Sequence, residues 1–189
     1  MLKEPAPVPE NNRRSALENH PPQRPGIREV RCGSIVQING MAADELQQRL
    51  ADWKFATPPG PLKASRGSNA RLLWSGPDQY LLISESLSSA EVITALDSQF
   101  NGSGATWVDL SQARTVFELS GPHVRDILAK GCPLDLDALQ PGDCAPCLLA
   151  HFNILLHCQA PDRFEILVFR SFGRACLEWL EHAAAEFEA

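Results

Sequence analysis

Two long stretches of this chain run through nearly the same succession of hydrophobic periodicities, and that repetition narrows the folds open to it more than any other feature. In the first stretch, residues 34–39 are short and rich in β-branched side chains, as a strand is. Residues 42–53 set Leu46, Leu50 and Trp53 on one helix stripe. Thr57-Pro58-Pro59-Gly60-Pro61 stops that helix, because proline lacks the N–H a helix needs. A surface loop is expected over 58–70. Residues 71–74 and 79–84 read as strands joined by the turn sequence Ser75-Gly76-Pro77-Asp78, hence a hairpin. Ser88-Ser89-Ala90-Glu91 is a capping box, in which hydroxyl and carboxylate each satisfy a free backbone donor. The helix behind it buries Val92, Ile93, Leu96 and Phe100 and ends at Asn101-Gly102-Ser103-Gly104. Residues 105–110 form a further strand.

The second stretch opens at 115–119, where Thr115, Phe117 and Leu119 alternate with Val116 and Glu118. Ser120-Gly121-Pro122 starts a helix, proline being tolerated in a first turn. Val124, Ile127 and Leu128 are its buried stripe, and Gly131 closes it. A loop rich in Pro, Asp and Gly runs from Cys132 to about Asp143. Strands 148–158 and 164–170 follow, divided by Gln159-Ala160-Pro161-Asp162. The last helix begins near Ser171, with Phe172, Cys176, Trp179, Leu180 and Ala183 inward. The order is β-α-β-β-α-β, then β-α-β-β-α, and each unit has the alternation of a ferredoxin-like layer. The expected fold is α+β, a duplication of β-α-β-β-α units at about 34–110 and 114–185 within one domain, 28–189. Helices would cover one face of each sheet, and the sheets would bury their other faces on each other.

Residues 1–27 read as a flexible tail, since six prolines interleaved with charge leave too little apolar surface to offset ordering. That segment has no signal-peptide pattern, so the cytoplasm is the expected address and the six cysteines are expected reduced. No apolar run approaches the ~18 residues of a membrane span. A net charge of −6 argues against a nucleic-acid binder.

Candidate chemistry is sparse. Cys144-x-x-Cys147 precedes His151, His157 and Cys158, but the spacing departs from zinc patterns. On one strand, His151 and His157 would stand ~20 Å apart. A redox role for Cys144 and Cys147 lacks a following helix N-terminus to activate a thiol. His123 sits at a helix start, where the dipole disfavours imidazolium. Asp109, Asp135, Asp137 and Asp143 read as solvated loop charges. No glycine-rich phosphate cradle follows a strand, so neither FAD nor NAD is expected in this chain. The four tryptophans fall on expected elements and read as core or interface.

Three segments carry a resemblance. Leu73-Trp74-Ser75-Gly76-Pro77-Asp78-Gln79-Tyr80-Leu81-Leu82, Ala129-Lys130-Gly131-Cys132-Pro133-Leu134-Asp135-Leu136, and Arg170-Ser171-Phe172 with Trp179-Leu180 resemble motifs of the sarcosine oxidase gamma subunit family. The likeness spans about 28–185. Pro146-Cys147 departs from it, because the family usually has Gln-Thr there. The resemblance implies a heterotetrameric enzyme that oxidises sarcosine to glycine with oxygen, passes the one-carbon unit to tetrahydrofolate and releases hydrogen peroxide. It implies alpha, beta and delta subunits as partners, holding FAD, FMN, NAD, tetrahydrofolate and zinc among them, with no cofactor, metal or catalytic residue in this chain.

The family is similar in fold to the folate-binding domain of glycine-cleavage aminomethyltransferases. Here Val108-Asp109-Leu110-Ser111 through Leu119-Ser120-Gly121 resembles their D-L-S-H-M…L-x-G stretch. Where those enzymes have an acidic G-G-x-x-D-D loop, this chain has His151-Phe152-Asn153-Ile154-Leu155-Leu156, without the acid that folate chemistry uses. A structural subunit is expected, and a free-standing folate-binding protein is the alternative. Lys130, Cys132, Pro133 and Asp135 are the expected subunit contact, because family-specific loops tend to carry function. A rigid proline-containing connection is the competing reading of the same loop.

Overall fold

The computed structural model describes residues 15–18, 21–22, 24–55 and 59–187. In chain order the elements are β1 (Ile27–Val30), β2 (Ser34–Asn39), α1 (Ala43–Arg49), β3 (Ala64–Arg66), β4 (Ala70–Gly76), β5 (Gln79–Ser84) and α2 (Ser89–Gln99). They continue with β6 (Thr106–Asp109), β7 (Arg114–Ser120), α3 (Val124–Ala129), β8 (Cys144–Leu149), β9 (Phe152–Ala160), β10 (Arg163–Phe169) and α4 (Gly173–Ala184). The strands form two five-stranded antiparallel sheets, ordered β3-β4-β5-β2-β6 and β1-β7-β10-β9-β8.

The period of two in each strand assigns its side chains to layers. Ile35, Leu73, Leu81 and Ile83 of one sheet meet Val116, Cys144, Leu155 and Leu167 of the other. Their sequence neighbours Val36, Leu72 and Leu82 pack with Leu46 of α1 and with Val92 and Leu96 of α2. On the far side, Phe117, Ile154, Leu156 and Ile166 pack with Val124 and Leu128 of α3 and Cys176, Leu177 and Leu180 of α4. The layers are thus helix, sheet, sheet, helix. Strands buried on both faces read as continuous apolar runs, as Tyr80–Ile83 and Ile154–Leu156 do. Each such Leu or Ile contributes about 1.5–3 kcal/mol through burial.

The sheets are also tied along one edge. The Ala64 N–H donates to the Gly142 carbonyl at 2.7 Å and the Cys144 N–H to the Leu62 carbonyl at 3.0 Å. Lys63 pairs with Asp143 beside them. Burial alone would raise the Asp143 carboxyl, but the Lys63 ammonium and the Gln140 N–H hold it below its ordinary value.

Several expectations are corrected. The loop expected over 58–70 contains the short strand β3, which pairs with β4; residues 57 and 58 of its proline stop lie outside the described residues. The apolar run 148–158 is not one strand. It turns at Ala150 and His151, Ala150 taking a φ of 54°, so that β8 folds back on β9. Pro146 is tolerated because β8 is an edge strand, where a missing N–H breaks no ladder. Pro122 stands in the turn before α3, whose N-cap is His123. Phe172, expected inward, is 48% exposed, because a 3-10 turn over 170–172 precedes α4.

Most of the expected tail, residues 1–14, 19, 20 and 23, lies outside the described residues. Within its described part, Leu17 is buried against the second sheet's helix-side core, the Ser15 hydroxyl donates to Glu29, and Ile27 opens β1. Among the described residues no helix is long and apolar enough to cross a membrane.

Candidate functional site

The four residues expected at a contact surface divide into two pairs. Lys130 caps α3, and its ammonium lies 2.5 Å from the Ala183 carbonyl, 2.5 Å from Glu186 Oε1 and 4.7 Å from the centre of the Phe187 ring. It fastens α3 to the end of α4. Cys132 is buried in the core. Pro133 and Asp135 are exposed, and Asp135 Oδ1 accepts from the Ala138 N–H at 3.2 Å.

The loop itself is held from beneath. The Arg125 guanidinium donates to the carbonyls of Leu136, of Leu139 at 3.2 Å and of Pro161 at 2.9 Å. Gly131 lies against Trp179, so two of the family-like segments are locked together at one contact. These contacts hold the segment from below, and Pro133 and Asp135 face outward.

Cys144 and Cys147 lie three residues apart on β8 and therefore point to opposite faces. Cys144 joins the core between the sheets, its thiol donating to the Lys63 carbonyl at 3.1 Å, and burial pushes it up to about 12. Cys147 faces the helices, where its sulfur is 3.8 Å from that of Cys132. The hydrogen bond from Cys147 lowers the Cys132 thiol to about 6; the same contact, with burial, raises Cys147. The thiol pair in this fold is thus Cys132 with Cys147, which the local spacing of Cys144-x-x-Cys147 does not reveal. His151 and His157 do not share a strand as expected. His151 is exposed in the turn, and His157 is buried on β9. Among the described residues no group of three or more His, Cys, Asp or Glu side chains could hold a metal.

His157 belongs to a buried ionic network between the sheets. Arg71 of β4 grips Glu165 of β10 with two hydrogen bonds, Nε to Oε2 at 3.0 Å and Nη2 to Oε1 at 2.7 Å. His157 Nδ1 lies 3.1 Å from Oε2, and Arg71 Nη2 also reaches the Cys32 sulfur at 3.6 Å. Burial alone would raise the Glu165 carboxyl, but His157 and Arg71 hold it below its ordinary value. A carboxylate clamped in a guanidinium fork is engaged on both oxygens, so it positions the sheets and is not free to act as a base. A cavity of about 160 Å³ opens beside the network, lined by Ser65, Arg66, Arg71, His157 and Gln159 among others. The signal for this network was present: Glu165 interrupts the apolar run Phe164–Phe169, and a charge placed there needs a partner.

The stretch at 108–111 and the hairpin segment also serve the fold. Asp109 Oδ1 accepts from the Ser111 N–H at 2.8 Å, and the buried Ser111 hydroxyl accepts from the Ile35 N–H at 2.9 Å. Together they pin the β6–β7 connection to β2. The β4–β5 hairpin turns at Gly76–Asp78 and buries Tyr80, with Trp74 half-buried, as expected of core residues.

Comparison with known proteins places these elements in a wider set. Residues 58–186 match the sarcosine oxidase, gamma subunit family. The sarcosine oxidase subunit gamma of Corynebacterium sp. strain P-1 is 34% identical over 165 residues, covering 85% of this chain and 80% of that one. The subunit gamma of Corynebacterium sp. strain U-96 is 32% identical over 124 residues, 65% of this chain; the match spans 60% of that relative's length. Among solved structures, the heterotetrameric sarcosine oxidase from Corynebacterium sp. U-96 in complex with pyrrole 2-carboxylate superposes with a TM-score of 0.77 at 26% identity, over 86% of this chain and 85% of that one. The glycine cleavage system aminomethyltransferase T from Bartonella henselae shares the fold, with a TM-score of 0.64 at 15% identity over 82% of this chain and 45% of that one.

Proposed function

This chain belongs to the sarcosine oxidase gamma subunit family, and from that premise we propose that it is a structural subunit of a heterotetrameric sarcosine oxidase. Its role is to pack against alpha, beta and delta subunits, which hold the FAD, FMN, NAD, tetrahydrofolate and zinc of the complex. The assembly, working in the cytoplasm, would oxidise sarcosine to glycine with oxygen and tetrahydrofolate, giving methylenetetrahydrofolate and hydrogen peroxide. This chain would help wall off the route of the reactive imine.

The observation that carries this reading is the use to which the family-like segments are put. Gly131 packs on Trp179, Asp109 and Ser111 anchor β2, and the Tyr80 hairpin fills the core. Side chains engaged in holding a frame together suit a subunit whose value lies in its shape.

The two sheets are read as two copies of one ferredoxin-like unit. Strand orders β6-β2-β5-β4-β3 and β1-β7-β10-β9-β8 correspond place by place, with α1 and α2 in the first unit matching α3 and α4 in the second. The second unit takes its outer strand from β1, at the chain's N-terminal side, which supports reading 28–189 as a single domain.

The test is co-purification. The tagged full chain, expressed with the other subunits of its host's sarcosine oxidase, should recover them in equal amounts with oxidase activity. An active complex of full yield assembled without this chain overturns the proposal. So does tetrahydrofolate binding by the lone chain with no partner recovered, which is the outcome of a free-standing folate protein.

A further inference from the structure

One end of the space between the sheets is closed by the ion network of Arg71, Glu165 and His157. At the other end the sheets part, leaving a cleft of about 180 Å³. Strand parity explains what lines it. Arg114 and Phe169 are paired across β7 and β10, two positions on from the pair Val116 and Leu167 of the intersheet core. Pro146 of β8 shares the face of Cys144. Ser75, Gln37 and Gln79 look back from the other sheet.

Arg114 is the anomaly. Its guanidinium lies 3.8 Å from the centre of the Phe169 ring, and its Nε is buried with no hydrogen-bond partner. No carboxylate pairs with it among the described residues, whereas the other intersheet arginine, Arg71, is fully paired. Burial lowers its pKa for want of such a partner. Stacking occupies one face of a guanidinium and leaves its donors, which lie in the plane, free for a bidentate acceptor. On the facing sheet the Ser75 hydroxyl is likewise buried and unpartnered. Phe169, which lines the cleft, is 42% exposed, and Leu148, two residues beyond Pro146 on the same face of β8, is 46% exposed. A half-buried cation with no ion-pair partner, beside apolar side chains, is the complement of an acidic anchor residue flanked by apolar ones, the arrangement of an interface centre.

We propose that this cleft receives an Asp or Glu side chain of a partner subunit, which pairs with Arg114 while its apolar neighbours cover Leu148 and Phe169. The proposal rests on the subunit reading given above and adds the surface and the chemistry of the contact. It lies apart from the loop of Pro133 and Asp135, which follows α3 and belongs to the helical side of the second sheet.

The experiment compares wild type, Arg114→Gln and Arg114→Lys, each co-expressed as the full chain with the other subunits. Arg114→Gln is expected to leave the melting temperature of the isolated chain unchanged or higher, since it removes an unpaired half-buried charge. It should weaken the complex about tenfold or more. Arg114→Lys keeps the charge and supplies an amine. In the assembled complex a carbodiimide should join that amine to an acidic residue of a partner subunit, located by peptide mass spectrometry.

Wild-type recovery of Arg114→Gln complexes overturns the proposal. So does an assembled Arg114→Lys complex without an intersubunit cross-link at position 114; both results leave the subunit reading standing. Failure of wild type to recover any partner removes that reading and this one together. A rise in melting temperature in sodium acetate over sodium chloride of equal ionic strength, lost in Arg114→Gln while assembly is untouched, would assign the cleft to a small carboxylate and overturn the proposal.

Discussion

A Cβ on Gly131 would stand 2.6 Å from Cζ2 of Trp179 and 2.9 Å from the Ala150 nitrogen. The indole of α4 therefore fills the place a side chain would take at the end of α3, and the glycine is required by packing. Gly131→Ala is expected to destabilise the fold by about 1–3 kcal/mol, the range for overpacking a filled site. Because the nearest clashes are with the six-membered ring, the part of the cost not due to the Ala150 backbone should shrink in a Trp179→Phe background. Urea unfolding of the two single variants and the double variant measures that coupling.

The fork between Arg71 and Glu165 sets a second expectation. Glu165→Gln leaves a buried guanidinium without its counter-charge, so it should cost about 3–5 kcal/mol at neutral pH. The carboxyl is held below its ordinary 4.5, so the folded state binds its proton more weakly than the unfolded chain. Its contribution is complete above about that pH and is lost as pH falls through the lower folded value. The gap in unfolding free energy between wild type and Glu165→Gln should therefore narrow below about pH 4, as urea titrations from neutral to acid pH would record.

Ser111 offers a smaller effect at a defined place. Its hydroxyl satisfies the buried Ile35 N–H at 2.9 Å. Ser111→Ala strands that donor, at about 1–3 kcal/mol. Hydrogen exchange at the Ile35 amide should accelerate beyond what the loss of global stability explains.

The alternation of strands and helices was legible because both sheets are buried on both faces, and runs such as Tyr80–Ile83 announce that directly. The capping box was legible because Ser88 and Glu91 act within one turn. What escaped depends on partners distant in sequence. β1 is four residues of mixed polarity that become a strand by pairing with β7, and β3 is three residues held by β4. The turn between β8 and β9 rests on a left-handed Ala150, with no glycine or asparagine to mark it. The contact loop was located by resemblance, but the commitment of Lys130 and Cys132 to internal contacts follows from α4 and β8 coming to them in space. Arg114 is ordinary in sequence; its unpaired state exists only once Phe169 and the facing sheet are in place.

Asp135 separates assembly from stability. Its carboxylate is exposed and makes one hydrogen bond, to the Ala138 N–H at 3.2 Å, while Arg125 holds the loop from beneath. Asp135→Ala should cost no more than about 1 kcal/mol in the isolated chain. If the loop meets a partner, recovery of the other subunits should fall by more than this loss explains. Unchanged recovery in the co-purification assay would remove Asp135 from the interface.

The six cysteines should respond to oxidant in a way that follows strand geometry. Residues three apart on an extended strand have Cα atoms about 10 Å apart and opposed side chains, beyond the reach of a disulfide. Cys144 and Cys147 are so placed on β8, and burial keeps the Cys144 thiol protonated, near 12. Cys132 and Cys147 bring their sulfurs to 3.8 Å across the core, and the contact with Cys147 lowers the Cys132 thiol to about 6. Diamide takes two hydrogens from a thiol pair and is itself reduced to the hydrazine. Treated with it, the folded chain should form one intrachain disulfide, between Cys132 and Cys147, visible by mass spectrometry of peptides cut without reduction. Cys144→Ser should leave that product intact and Cys132→Ser should abolish it. A disulfide joining Cys144 to Cys147 in the folded chain would contradict the placement of β8.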